Sequence, residues 1–122
     1  MEKIKPRISV EYSDEAVIIT FTDEKILEDQ DIAALQESII SVIGQGQKIN
    51  LVLNFENVKF LSSAVLGLLI RIVKRVYEQD GWLKLCNINS KIYEVFKITK
   101  LTKIFDIYPD LKAALESLSG GK

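Results

Sequence analysis

Ile8, Val10 and Tyr12 alternate with Ser9 and Glu11, the period of two expected of a strand with one buried face. Ser13-Asp14-Glu15 is a turn signal, and Ala16 to Phe21 follows as a more uniformly apolar strand, so the pair predicts a hairpin. From Thr22 to Gln30 the chain turns polar and acidic, with Asp23, Glu24, Glu28 and Asp29 interrupted by Ile26 and Leu27. Clustered carboxylates suggest a metal site, but a solvated loop feeding negative charge into a helix N-terminus is the simpler reading. A helix from about Asp31 to Ile43 follows, on a stripe of Ile32, Leu35, Ile39, Val42 and Ile43 at helical spacing. Gly44-Gln45-Gly46-Gln47 ends it as a C-cap and loop. A phosphate loop would need Gly-Lys-Ser/Thr after a strand, and neither condition holds.

Ile49 to Phe55 has the near-continuous apolar character of a central strand buried on both faces. A polar link from Glu56 to Leu61 leads to Ser62 and Ser63, and a helix runs from Ala64 to about Gln79. Plotted at 100° per residue, Val65, Leu66, Leu69, Ile70, Ile72, Val73, Val76 and Tyr77 fall on one half of this helix. Gly67, Arg71, Lys74, Arg75 and Glu78 fall on the other. Leu68 breaks the pattern, on the polar side in line with Ala64, Arg71 and Arg75, and Gly67 sits exposed where it costs roughly 1 kcal/mol against alanine. Single exposed leucines are ordinary, yet a small and an apolar residue beside two serines would also suit close approach by a partner.

Asp80-Gly81 is a turn and Trp82 to Ile88 the next strand, with Cys86 an inert core or near-core residue. Asn89 or Ser90 caps a short helix whose stripe is Ile92, Val95 and Phe96. Lys103 to Tyr108 reads as a strand, Pro109 as the first residue of a last helix, and Leu111, Ala114, Leu115 and Leu118 as that helix's buried stripe. Ser119 to Lys122 is a frayed tail. The order β-β-α-β-α-β-α-β-α predicts a single α/β domain over residues 1–122, with a mixed, largely parallel sheet and crossover helices.

Apolar residues make up 48% of the 122 and charged ones 27%, a globular composition with enough apolar surface for a real core. The net charge of −1 gives no electrostatic reason to expect nucleic acid or an anionic membrane. Neither a secretory signal nor an apolar run of roughly 20 residues is present, so no membrane segment is expected. One cysteine permits no internal disulfide, which fits a reducing cytoplasm. The chain has no histidine, which removes the usual general base and the commonest metal ligand together. No cofactor or metal is expected.

Three chemistries could explain hydroxyls at a strand-to-helix turn. A nucleophile elbow needs Gly-x-Ser-x-Gly, whereas Leu61 and Val65 flank Ser63 at those positions, and no histidine can activate the serine. Lys59 would be the remaining base, and nothing in the sequence places it. Capping accounts for one serine, at about 1 kcal/mol. Phosphorylation accounts for the other: a helix N-terminus stabilises a phosphate's −1.5 to −2 charge, while a partner docked there would meet a bulky anion.

Phe60-Leu61-Ser62-Ser63-Ala64-Val65-Leu66-Gly67 resembles the signature of the STAS domain family, named for sulphate transporters and anti-sigma factor antagonists. That signature is a buried strand, an aromatic and an apolar residue, Asp-Ser, a small residue, Gly-Leu-Gly and an amphipathic helix. The stretch from Val95 to Phe105 and the Ala-Leu-rich last helix are similar too. Ser62 replaces the family's Asp, Val65 its glycine, and Lys100 stands where a glycine is common. The resemblance implies a free-standing anti-sigma factor antagonist, a binding protein and not an enzyme. Its unmodified form would bind an anti-sigma serine kinase and release a sigma factor, and a serine phosphatase would reverse the kinase's modification. It implies phosphorylation at Ser63, with Ser62 the second candidate and the expected cap. The expected partner interface is Ser62, Ala64, Gly67, Leu68, Arg71 and Arg75, with the loop before Asp31. The alternative is a constitutive STAS scaffold that is never phosphorylated, which the changes at Ser62 and Val65 favour.

Overall fold

The computed structural model describes residues 7–44 and 48–119, without the side chains of 118 and 119. In chain order the elements are β1 (Ile8–Tyr12), β2 (Val17–Phe21), β3 (Lys25–Ile26), α1 (Asp29–Ile43), β4 (Asn50–Asn54) and β5 (Phe60–Leu61). They continue with α2 (Ser63–Glu78), β6 (Trp82–Cys86), α3 (Ser90–Ile98), β7 (Asp106–Tyr108) and α4 (Leu111–Ser119). Five strands form one sheet in the order β1-β2-β4-β6-β7. The β1–β2 hairpin is antiparallel, pairing Ile8 with Phe21 and Tyr12 with Val17, and the other pairs are parallel. The mixed, largely parallel α/β architecture expected from the sequence is the observed one.

Alternation along the central strands sorts side chains between two layers. Ile19, Leu51, Leu53, Leu83 and Leu85 face the larger core, with Leu35 and Ile39 of α1, Leu69 and Ile72 of α2, and Phe96 of α3. Ile18, Val52 and Cys86 face the other side, where Ala114 of α4 closes a smaller cluster. Central β4 is therefore buried on both faces. Burial pushes the Cys86 thiol up to about 12, so it stays protonated and inert.

Local rules explain most element ends. Gly44 takes a left-handed φ of 69° and its N–H donates to the Ile40 carbonyl at 2.9 Å, closing α1. Gln45, Gly46 and Gln47, which the loop reading includes, lie outside the described residues. Gly81 follows α2 where a Cβ would stand 1.8 Å from the Ile49 carbonyl oxygen, so no side chain fits. The Asn89 side chain accepts from the Ile92 N–H at 2.9 Å, which selects Asn89 over Ser90 as the α3 cap.

Several expectations need correction. The acidic loop and the polar link each contain a two-residue strand, and β3 pairs with β5 in a separate parallel sheet, Lys25 with Phe60 and Ile26 with Leu61. Strands this short give no periodicity to read. The stretch from Lys103 to Tyr108 is strand only from Asp106, because Leu101–Lys103 forms a 3-10 turn. Lys100 enters that turn at a φ of 65°, and the turn buries Leu101 and Phe105. Pro109 precedes α4 and does not begin it. Asp110 starts the helix, its carboxylate accepting from the Ala113 N–H at 2.8 Å. Tyr77 and Val95, placed on buried stripes by spacing, are 46% and 39% exposed. The side chain of Leu118 lies outside the described residues.

Candidate functional site

Ser63 is the first residue of α2 and is exposed. The strand-to-helix junction before it is fixed by backbone bonds. The Ser62 N–H donates to the Ile26 carbonyl at 3.0 Å, and the Lys59 and Phe60 N–H groups donate to the Glu24 carbonyl at 2.8 and 3.0 Å. The small β3–β5 sheet thus ties the loop before α1 to the start of α2. No acidic residue occupies the first turn of α2, so the positive end of a 16-residue helix meets no carboxylate of its own there.

Ser62 stands at the N-cap in extended conformation, yet its hydroxyl makes no capping bond. Its oxygen is buried with no hydrogen-bond partner among the described residues. The expected cap is therefore present in position but not in hydrogen bonding. Burial also separates the serines chemically, because a modifying enzyme can reach Ser63 and not the Ser62 oxygen. Val65, where the family carries glycine, is 1% exposed and packs in the main core. Its side chain points away from the surface that presents Ser63.

One member of the expected docking stripe, Leu68, is not at the surface. Ala64 is exposed and Gly67 half-buried, but Leu68 is 0% exposed. The helical plot treats α2 as a lone cylinder, whereas α1 packs along the flank that the plot turned toward solvent. Arg71 is spanned to α1, its Nε and Nη2 donating to Gln36 Oε1 at 3.0 and 2.8 Å. The Arg75 Nη2 reaches the Gly44 carbonyl at 3.5 Å. Both arginines tie helices together, and Leu68 is core.

The acidic residues before α1 are also engaged. Arg7 pairs with Asp23 at 3.0 Å and Asp31 at 2.8 Å. The hydrogen bond that Arg7 donates to Asp23, with the charge of Asp31, raises the Arg7 pKa above its ordinary value. Among the described residues no group of acidic, cysteine or histidine side chains could hold a metal ion.

What the sequence missed lies on the opposite flank of Ser63. A groove of about 550 Å³ opens between β3, β5 and α3, with Lys25, Leu27, Lys59, Phe60, Lys91 and Val95 around it and Ser63 on its lip. Leu27 and Phe60 are 48% and 49% exposed. Only the β3–β5 pairing and the orientation of α3 bring these positions together. The one available hint was an aromatic residue, Phe60, two positions before the serine pair. Lys59, considered as a base for Ser63, instead approaches Glu24 at 3.8 Å.

Among the described residues a five-stranded mixed sheet carries α4 on one face and α1, α2 and α3 on the other, the arrangement of a STAS domain. The family model for the STAS domain matches residues 7–114, and the chain belongs to that family. It is 33% identical over 73 residues to the anti-sigma-B factor antagonist of Bacillus subtilis, covering 60% of this chain and 65% of that protein. Over such stretches the chain spans less than two thirds of the length of the first curated relatives it matches. An anti-sigma-factor antagonist (STAS) domain protein from Planctomyces limnophilus superposes with a TM-score of 0.80 at 21% identity, over 92% of this chain and 97% of that one. The anti-sigma factor antagonist SpoIIAA, whose structure is known unphosphorylated and phosphorylated, matches with TM-scores of 0.70 and 0.67 at 18% and 20% identity. The two matches cover 94% and 89% of this chain, and 99% and 97% of SpoIIAA. Among the described residues no helix is long and apolar enough to cross a membrane.

Proposed function

We propose that this chain is a cytoplasmic anti-sigma factor antagonist of one STAS domain, a binding protein switched at Ser63. With Ser63 unmodified it binds an anti-sigma serine kinase and releases a sigma factor. Phosphorylation of Ser63 by that kinase ends the complex, and a serine phosphatase restores it. The observation that carries this reading is the exposed Ser63 hydroxyl at the N-terminus of α2, where no acidic residue competes for the first turn. A phosphate there is stabilised by free N–H groups and the helix dipole, so modification changes the surface without unfolding the domain. The buried Ser62 oxygen and the inward-pointing Val65 support Ser63 as the only modifiable hydroxyl of the pair and leave its approach open.

The test uses an anti-sigma kinase encoded in the same genome. Wild type should gain one phosphate in intact-mass analysis with ATP, Ser63→Ala none, and Ser63→Asp should bind the kinase at least about tenfold more weakly, a change of about 1.4 kcal/mol. Equal binding of Ser63→Asp and wild type would refute the switch. The second reading, a scaffold that is never phosphorylated, rests on Ser62 standing where the family carries Asp, a residue a kinase could read. Intact mass of protein from its native cells separates the two, since Ser63 unmodified across growth and stress conditions supports the scaffold.

A further inference from the structure

We propose that the groove between β3, β5 and α3 is the docking site for an acidic protein segment that inserts apolar side chains, and that phosphate on Ser63 closes it by offsetting most of the positive charge of its rim. The second half rests on the phosphorylation reading above; the first does not. The argument begins with charge. The chain as a whole carries one more acidic than basic residue, yet the ten residues lining the groove include three lysines and no carboxylate.

Those lysines are not consumed by other contacts. Lys59 and Glu24 are 3.8 Å apart with both side chains mostly exposed, a pairing that contributes little. The Lys25 Nζ lies 5.8 Å from the centre of the Phe60 ring, and Lys91 has no ion pair among the described residues. Between them the wall is apolar: Leu27, Phe60 and Val95 are 48%, 49% and 39% exposed. Apolar surface continues past the groove, because Lys91, Val95 and Ile98 share one face of α3 at helical spacing and Ile98 is 77% exposed. A concavity of about 550 Å³ admits side chains, which a flat bilayer surface would not fill, and three lysines give an anionic membrane only weak attraction. Carboxylates flanking apolar anchors complement both features.

Ser63 sits on the lip of this groove. Its phosphate would bring −1.5 to −2 charges against three lysines, leaving the rim at roughly +1, while its bulk would narrow the entrance. An acidic segment would lose most of its attraction and part of its access.

The test pans a random-peptide phage library over the immobilised full chain and measures fluorescence anisotropy of the selected, labelled peptides. They should pair Asp or Glu with Leu, Phe or Trp, and bind more weakly as salt rises. Val95→Asp and the triple charge reversal K25E/K59E/K91E should each weaken binding about tenfold, with Lys112→Glu on distant α4 unchanged. All these positions except Val95 carry exposed charged side chains and Val95 is itself exposed, and circular dichroism verifies that the variants fold. No enriched peptide, a basic consensus, affinity indifferent to these substitutions, or preferential lysine-dependent binding to phosphatidylglycerol vesicles would overturn the docking site. Ser63→Glu should weaken the peptide a few-fold and flatten its salt dependence. Unchanged affinity there overturns the charge-offset half alone, and it does so whether or not any kinase modifies Ser63.

Discussion

Truncating Leu68 to alanine separates the surface that the helical plot implies from the one the fold creates. On an exposed stripe the change would cost a few tenths of a kcal/mol, since surface substitutions usually stay within about 0.5 kcal/mol. In the structure Leu68 is fully buried where α1 packs on α2. Leucine to alanine removes three carbon groups at about 0.8 kcal/mol each, or about 2.4 kcal/mol of transfer free energy. The cavity left behind adds to this, because a seam bridged by Gln36 and Arg71 cannot fully collapse; about 3–4 kcal/mol is expected, within the range of about 2.7–5.0 kcal/mol measured for buried leucines. Equilibrium urea unfolding followed by circular dichroism reads this directly. With a slope of about 1.5–2 kcal/mol per molar urea, the midpoint should fall by about 2 M. Arg71→Ala, which removes an exposed link, should cost under about 1 kcal/mol. A Leu68→Ala loss below about 1 kcal/mol would refute the buried α1–α2 seam and return Leu68 to the candidate interface.

Gly81→Ala should cost at least about 3 kcal/mol or prevent folding, because its Cβ would overlap the Ile49 carbonyl at a turn that cannot yield; thermal melting checks this. Lys100→Gly should stabilise by about 0.5–1 kcal/mol, since a residue at φ 65° relieves left-handed strain as glycine, and a lower urea midpoint would contradict it. Asn89→Ala should cost about 1 kcal/mol through loss of the α3 cap, with Asn89→Asp retaining most of it. Cys86 should resist thiol reagents in the native state and react promptly in denaturant. Its folded pKa of about 12 exceeds the ordinary 9.0, so its contribution is complete below pH 9 and is lost as pH rises toward 12, by about 1.4 kcal/mol per unit relative to Cys86→Ala.

Periodicity in the sequence was enough to locate the hairpin, central β4, α1, α2 and the parallel crossover order, because one buried face per element repeats every two or every 3.6 residues. The exposed Ser63 was legible for the same reason: a hydroxyl at the junction of a buried strand and an amphipathic helix has to lie at the surface. Lys100 in place of glycine was visible as a substitution, but the left-handed turn that explains it is a backbone fact. The two-residue β3 and β5 left no pattern to find, since their stability comes from pairing across 35 positions of chain, Lys25 with Phe60.

Which flank of α2 is left open was decided by tertiary packing alone. A helical plot ranks faces by polarity, but polarity does not say which polar face another helix covers. Here α1 covers Leu68 and is bridged to α2 by Arg71 and Arg75, and the β3–β5 sheet with α3 leaves a groove open beside Ser63. The chain's own residues determine that a serine is presented on α2. Contacts between segments far apart in sequence determine what surrounds it, because they depend on distances that no local pattern encodes.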